Sequence, residues 1–212
     1  MKCLGIYELK EMIESIHPTV VQDKFVGKIN ILDGSVDVTD PCYDSDTWCA
    51  SFDRKVKAGV YDCYIDITNF PSIGVLEELD EDVMKGCKKV GDTEILNDHR
   101  ISSLTIMYEG FKPNHFMWRE VDADIGVDAG LCGFYNHKKD YDDEEWSYFC
   151  DNLTNLEEYE FLTCFLQDNG ITVSSGFGDG SYKLYEAYNA NEVIGLRLDF
   201  ITEEDTEVYY EW

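Results

Sequence analysis

Apolar and polar residues alternate along many segments of this chain, as β-strands with one buried face require. The clearest segment is 61–67, where every second residue is apolar. This period of two predicts a strand that packs one face on a core. Related patterns predict further strands, which cover 25–32, 36–38, 101–108, 117–121, 125–135, 171–174, 182–188 and 193–201. The pair Asp33-Gly34 predicts a hairpin between the first two, and 189–191 predicts one near the end.

Two segments show a helical period instead. Residues 6–16 place apolar side chains on one helical face, and Pro18 ends that pattern, so we assign 1–22 to an N-terminal helical segment. Residues 142–153 predict a helix whose apolar side packs on the sheet through Trp146, Phe149 and Cys150. Further helical turns are expected up to Leu166, and Gly170 is the signal that ends them.

These elements predict a mainly β (α+β) fold. Its core is an antiparallel sheet, or a sandwich or barrel-like arrangement, with a few short flanking helices. We interpret 1–212 as a single domain with a β-rich core over 34–201. Within it, 71–98 mixes charge with a short helical pattern and is interpreted as an insertion, and 203–212 is an acidic tail.

Charge changes this picture most. The 212 residues hold 17 Lys and Arg against 44 Asp and Glu, a net charge of −27. Such a surface repels phosphate, so direct nucleic-acid binding is excluded. No apolar run reaches the roughly 20 residues of a membrane span. The N-terminus does not resemble a secretion signal, which favours a cytoplasmic protein whose eight cysteines are mostly buried thiols.

The acidic residues are concentrated in runs. Two of them are the candidate binding residues of an acidic surface: Glu78, Asp80, Glu81 and Asp82 in the first, and Asp142, Asp143, Glu144 and Glu145 in the second. Such runs are typical of solvated surfaces and of helix N-termini. Interleaved with Tyr and Trp, they also resemble the surfaces of proteins that dock on basic grooves.

Three further segments combine Gly with Asp, Cys or Ser: 38–43, 126–135 and 173–182. Their aspartates Asp40, Asp128 and Asp179 are candidate ligands for Ca²⁺ or Mg²⁺, because hard cations prefer several carboxylate oxygens. The favoured interpretation is a structural turn in which Asp179 accepts hydrogen bonds from nearby backbone N–H groups. We therefore expect no cofactor, and Ca²⁺ or Mg²⁺ would be bound only under the metal-site alternative.

In this order, the three segments resemble a bacterial and phage family known as domain of unknown function 4241. The resemblance rests on Asp-Pro-Cys-Tyr at 40–43, Val-Asp-Ala-Gly at 127–130 and Ser-Ser-Gly-Phe-Gly-Asp-Gly-Ser-Tyr at 174–182. It covers about 34–201 without the stretch near 71–98. It implies a compact β-rich fold and no established activity.

Two functional hypotheses follow. The first is a non-catalytic acidic binding protein that docks on the basic surface of a nucleic-acid-binding protein as a polyanion mimic, for example an inhibitor from a phage or mobile element. The second is a divalent-metal-binding domain or hydrolase centred on Asp40, Asp128 and Asp179. The two differ in whether these carboxylates converge in one pocket or spread across a face.

Overall fold

The computed structural model describes residues 18–71, 97–156, 161–166, 169–202 and 205. It confirms the predicted mainly β fold. Two six-stranded antiparallel sheets contribute side chains to one shared hydrophobic core, so the architecture is a sandwich rather than a barrel. No helix among the described residues is long and apolar enough to cross a membrane.

Sheet A has the strand order β1-β4-β5-β12-β11-β6. Its strands are β1 (Thr19–Ile31), β4 (Gly59–Pro71), β5 (Asn97–Tyr108), β6 (Trp118–Val127), β11 (Gly180–Asn189) and β12 (Glu192–Asp199). The β11–β12 hairpin forms as predicted, with Ala190 in its turn at a φ of 54°.

Sheet B has the order β3-β2-β7-β10-β9-β8. Its strands are β2 (Asp37–Thr39), β3 (Ala50–Ser51), β7 (Leu131–Tyr135), β8 (Thr154–Leu156), β9 (Phe161–Phe165) and β10 (Gly170–Ser174). The helix α1 (Asp143–Asn152) connects β7 to β8. A 3-10 turn, Pro113–His115, lies in the connection that leads from β5 to β6 along the chain.

The predicted hairpin at Asp33-Gly34 is wrong. β1 pairs with β4 in sheet A, whereas β2 pairs with β3 and β7 in sheet B, so the chain crosses between the sheets here. Gly34 has a φ of +83°, and a Cβ on it would lie 2.3 Å from the Val56 carbonyl oxygen. A turn signal marks where the chain reverses but does not determine which strand it pairs with next.

Several predicted boundaries fall on residues 1–17 and 72–96, which lie outside the described residues. Where the structure can be compared, residues 19–22 belong to β1 and not to a helical segment. At the other segment, β4 extends to Pro71 and β5 begins at Asn97, so both ends of the predicted insertion are strand. Of the acidic tail, the structure describes Asp205 alone.

The helix predicted over 142–153 is confirmed, but the turns expected after it are wrong. Residues 154–156 and 161–165 form β8 and β9, which continue sheet B. On α1, Phe149 is buried as predicted, whereas Trp146 is half-buried and Cys150 is exposed. Phe149 packs with Trp146 and Tyr141 at ring distances of 5.3 Å each.

Glycine allows β7 and β10 to approach closely in the middle of sheet B. A Cβ on Gly133 would lie 1.9 Å from the carbonyl oxygen of Ile171, and one on Gly170 would lie 2.0 Å from that of Phe134. Glycine at these two positions therefore permits a backbone approach that any side chain would block. The candidate site begins at the N-terminal end of β7.

Candidate functional site: an acidic band around Trp48

The first two glycine- and aspartate-containing segments meet at the carboxylate of Asp40, which is fully buried after β2. One oxygen, Oδ1, accepts a hydrogen bond of 2.8 Å from the N–H of Cys42. The other, Oδ2, accepts bonds of 2.7 and 2.6 Å from the N–H groups of Asp128 and Ala129. A buried carboxylate needs such donors to offset its loss of hydration, so Asp40 fastens two loops together.

The third segment, 173–182, contacts the other two mainly through its backbone, and we call the place where the three segments meet the junction. The N–H of Ser175 donates to the carbonyl oxygen of Gly130 at 3.0 Å. The Tyr182 hydroxyl lies within hydrogen-bonding distance of two carbonyl oxygens, Ser175 at 3.0 Å and Gly178 at 2.6 Å. Ser175 Oγ donates to the Gly178 oxygen at 2.9 Å. In the described structure these contacts, rather than the Asp179 carboxylate, fix the turn.

The three aspartates therefore have different environments. Asp40 is buried and accepts three backbone hydrogen bonds, whereas the side chains of Asp128 and Asp179 are exposed. Within the described ranges, no group of three or more His, Cys, Asp or Glu side chains is arranged to hold a metal ion. Asp40 joins the first two segments as a hydrogen-bond acceptor, and backbone contacts join the third.

Burial and the nearby carboxylates raise the pKa values of two side chains here. The pKa of Tyr43 is raised by burial first, and then by Asp128 and Asp40. Burial also raises the pKa of the Cys42 thiol to about 12, with Asp40 adding to the effect. A thiol in that state is protonated near neutral pH, so Cys42 is a poor nucleophile.

The loop between β2 and β3 also contacts the segment that precedes α1. Both the N–H and the hydroxyl of Ser45 donate to Asp140 Oδ1 at 2.8 Å. The Lys138 ammonium group donates to the carbonyl oxygen of Tyr43 and lies 3.6 Å from Asp140. Exposed Asp44 and Asp46 on this loop consequently lie beside the segment that leads into α1.

The second predicted acidic run forms the N-terminus of α1. Asp142 is the N-cap and accepts a hydrogen bond from the N–H of Glu145, whose side chain accepts one from the Asp142 N–H, a capping box. Asp143 and Glu144 are exposed in the first turn. Two of the four predicted residues thus stabilise the helix end, where the macrodipole favours negative charge. The other predicted run, at 78–82, lies outside the described residues.

Trp48 is the most unusual side chain of this loop. It is 80% exposed, and its backbone lies in the left-handed region with a φ of 68°. Bulky residues rarely adopt this conformation, and exposed backbone strain of this kind concentrates at functional sites. The Trp48 ring lies beside Tyr43, with 6.3 Å between the ring centroids. The loop therefore presents a large apolar ring to solvent among acidic residues.

A row of carboxylates on β6 was not predicted. Its inward residues Val121, Ala123, Ile125 and Val127 contact the core, although the pairing with β11 is irregular near Tyr185. Three of the alternate positions, Glu120, Asp122 and Asp124, are exposed carboxylates; Gly126 follows them, and the exposed Asp128 lies just after the strand ends. The signal in the sequence is acidic residues at a period of two.

The β6 row and the α1 terminus belong to one surface, because Tyr43 lies between them. A Cβ on Gly126 of β6 would lie 3.8 Å from the Tyr43 hydroxyl, and Tyr43 in turn contacts Trp48. We call this surface the acidic band, and its members are Glu120, Asp122, Asp124, Asp128, Asp179, Tyr43, Trp48, Asp44, Asp46, Asp140, Asp142, Asp143 and Glu144.

A separate ionic cluster lies on the outer face of sheet A. The Arg197 guanidinium contacts Asp66 at 3.2 Å and Asp199 at 2.5 Å, and Asp66 also accepts a hydrogen bond from the Asp23 N–H. Burial raises the pKa of Asp199, an effect that Arg197 opposes and Asp66 reinforces. Burial is therefore the main reason why the fold favours the protonated form of Asp199.

Comparison with known proteins found no matching family model, no matching curated protein and no matching solved structure.

Proposed function

We propose that this protein is a non-catalytic binding protein whose acidic band docks on the basic surface of a protein partner. The observation that carries the proposal is the placement of Trp48, an 80% exposed ring that lies beside Tyr43 on the loop that carries the exposed Asp44 and Asp46. Trp is enriched among the few residues that dominate binding energy, and surrounding charge directs encounter.

The partner we propose is a protein whose basic surface serves to bind nucleic acid. The chain carries a net charge of −27, and the band concentrates carboxylates along one strand, one loop and one helix end. Nucleic-acid-binding surfaces are rich in Lys and Arg because they neutralise phosphates. A protein that covers such a surface with carboxylates acts as an inhibitor of it. We include in the proposal that the chain is related to the bacterial and phage family that its three segments resemble, because an inhibitor from a phage fits this role.

The test compares two charge-reversed variants of equal net charge in capture experiments from a bacterial lysate. The band variant combines Asp122→Lys with Asp124→Lys. The control combines Glu109→Lys, just after β5, with Glu192→Lys, at the start of β12; both glutamates lie outside the acidic band and form ion pairs with lysines as Asp124 does. We expect wild type and control to retain a set of basic nucleic-acid-binding proteins that the band variant loses.

Two further readouts make the test specific. Retention should fall steeply as salt rises from tens to hundreds of millimolar, because the Debye length shortens to a few ångströms. Trp48→Ala should weaken retention at every salt concentration, since it removes apolar contact and leaves the charge unchanged. Equal retention by the band and control variants, or proteins captured without regard to their charge, would contradict the proposed function.

A further inference from the structure

A cleft of about 970 Å³ follows α1 along one side. Part of its lining recurs every three or four residues, from the segment before α1 to the end of the helix: Tyr141, Glu144, Glu145, Tyr148, Phe149 and Asn152. This spacing places the side chains on one face. Further apolar lining comes from Leu32, just after β1, and from Phe165 and Leu166 at the end of β9. Because α1 has 10 residues, the cleft extends over roughly 15 Å.

Hydrogen bonds of Asn136 hold this cleft in shape. Its Oδ1 accepts a bond of 2.8 Å from the N–H of Leu32, and its Nδ2 donates one of 2.8 Å to the carbonyl oxygen of Asn30. The N–H of Asn136 donates to the carbonyl oxygen of Asn169, which lies just before β10, at 2.7 Å. The end of β1 and the turn after β9 are therefore fastened to the same residue. A site that is fixed before its partner arrives loses less entropy on binding.

The cleft leaves large apolar side chains exposed. Leu32 is 67% exposed and Tyr148 is 64% exposed, and Phe165 is exposed as well. Apolar side chains that stand singly on a surface need no partner, whereas a group of them around one concavity marks a binding site.

The charges around the cleft indicate what kind of partner fits. The two lysines of the lining already pair with carboxylates, because Lys139 contacts Glu145 and Lys138 lies 3.6 Å from Asp140. Glu144 is exposed, and in the part of the chain that the structure describes it forms no ion pair. Glu144 is also a member of the acidic band, so the cleft continues the surface that docks on the basic partner. A cation next to an apolar side chain is complementary to this site.

We propose that the cleft receives an amphipathic helix of the basic partner, with its apolar face against Leu32 and Tyr148 and a Lys or Arg beside Glu144. The inference rests on the proposed function and names the part of the partner that is recognised. A groove along a helix suits a second helix, because the side-chain ridges of two helices interlock with their axes about 8–10 Å apart. A length of roughly 15 Å accepts about three helical turns, whose apolar side chains enter at i, i+3, i+4 and i+7.

The probe is an Ala-rich helical peptide of about fifteen residues, in which Leu recurs every three or four residues and Lys flanks the Leu face. Its comparator has the same residues in a scrambled order, so it keeps the charge and loses the apolar face. Binding is measured by fluorescence anisotropy at about 150 mM salt, where the Debye length of about 8 Å limits diffuse attraction. NMR chemical shifts of the α1 amides locate the bound peptide.

Two pairs of variants test the apolar and the charged part of the cleft. The cleft variant combines Leu32→Ala with Tyr148→Ala, and its control combines Val20→Ala with Met117→Ala, which are exposed apolar residues outside the cleft. Glu144→Gln is compared with Asp151→Asn, an exposed carboxylate of α1 that does not line the cleft.

We expect the patterned peptide to bind and to shift the α1 amides, and the scrambled peptide to bind at least about tenfold more weakly. The cleft variant should weaken binding of the patterned peptide by at least about tenfold, and its control should leave binding unchanged. Glu144→Gln should weaken binding by about twofold to fivefold, and Asp151→Asn should not.

Equal binding of the two peptides, or binding that the cleft variant does not weaken, would overturn the inference. Dimerisation of the wild type that the cleft variant abolishes, measured by sedimentation, would also overturn it, because the occupant would then be a second copy of this chain. The lysate capture tests the proposed function separately, since it depends on Asp122 and Asp124, which lie outside the cleft. Capture that still requires these two residues, with no binding of the patterned peptide, would overturn the helix site alone.

Discussion

Replacing Asp40 by Asn tests the junction that joins the three segments. The two side chains have nearly the same size, so the change creates no cavity and isolates the hydrogen bonds. Asn has one acceptor oxygen where Asp has two, and its NH₂ group would face a backbone N–H. The three bonds of 2.6 to 2.8 Å that Asp40 accepts cannot all persist.

The expected cost follows from those bonds. A hydrogen bond to a charged group contributes about 1.5 to 3 kcal/mol, and a buried donor left unpaired costs about 1 to 3 kcal/mol. With at least one bond lost and the others deprived of the charge, Asp40→Asn should lower the free energy of unfolding by about 3 to 5 kcal/mol. For a chain of this size that corresponds to a fall in melting temperature of about 6 to 20 °C.

The assay is urea unfolding followed by tryptophan fluorescence and circular dichroism, with Asp128→Asn as the matched control. Asp128 contributes its backbone N–H to the junction while its side chain is exposed, so the control should change stability by less than about 0.5 kcal/mol. An Asp40→Asn protein as stable as the control would refute the reasoning.

The same variant addresses the metal hypothesis. If Asp40 were a ligand, Ca²⁺ or Mg²⁺ would raise the melting temperature of wild type and not that of Asp40→Asn. If Asp40 serves the junction, cations should shift both proteins equally through general screening of the negative charge.

Three further substitutions test the turn at 175–182 and the ionic cluster around Arg197. Tyr182→Phe removes the hydroxyl that contacts two carbonyl oxygens, so it should lower the free energy of unfolding in urea by about 1 to 2 kcal/mol. Asp179→Ala should lower it by less than about 0.5 kcal/mol. The reverse order would show that Asp179 is the residue that fixes the turn. Asp199→Asn should become progressively more stable relative to wild type as pH rises from below the ordinary Asp pKa, 3.8, through the raised folded-state pKa of Asp199. The reason is that the wild-type fold favours the protonated acid, and that contribution to stability is lost as Asp199 ionises over this pH window. A stability difference that does not vary with pH would show that Arg197 fully compensates the Asp199 charge.

The sequence predicts local structure well where one period dominates a segment. The strand over 61–67 and the helix from 143 onwards are such cases, because burial of one face determines both. Residues 154–156 and 161–165 form strands where helical turns are expected, because a short run fits either structure and the pairing of β8 with β9 and of β9 with β10 decides between them. Which strands pair is a property of distant segments, so Asp33-Gly34 signals a turn but not a change of sheet.

The candidate site was predictable in part. The acidic run at 142–145 and the segments that hold Asp40 and Asp128 were identified, yet their meeting depends on contacts such as Ser45 with Asp140, which are 95 residues apart. Trp48 gave no signal, since neither its exposure nor its left-handed backbone follows from its neighbours. The β6 carboxylates are marked in the sequence by charged residues, rather than apolar ones, at a period of two.

The position of β12 at the centre of sheet A has a consequence for synthesis on the ribosome. β12 lies between β5 and β11, so β5 has no partner on that side until residues 192–199 are made. These begin 84 residues (192 − 108) after β5 ends, a delay of roughly 4 to 17 s at ordinary translation rates. During that time the nascent chain exposes the edge of β5, with Leu104 and Ile106 beside it, and is at its most prone to aggregate. Chaperone demand should therefore peak before the last hairpin emerges, and release should coincide with its insertion.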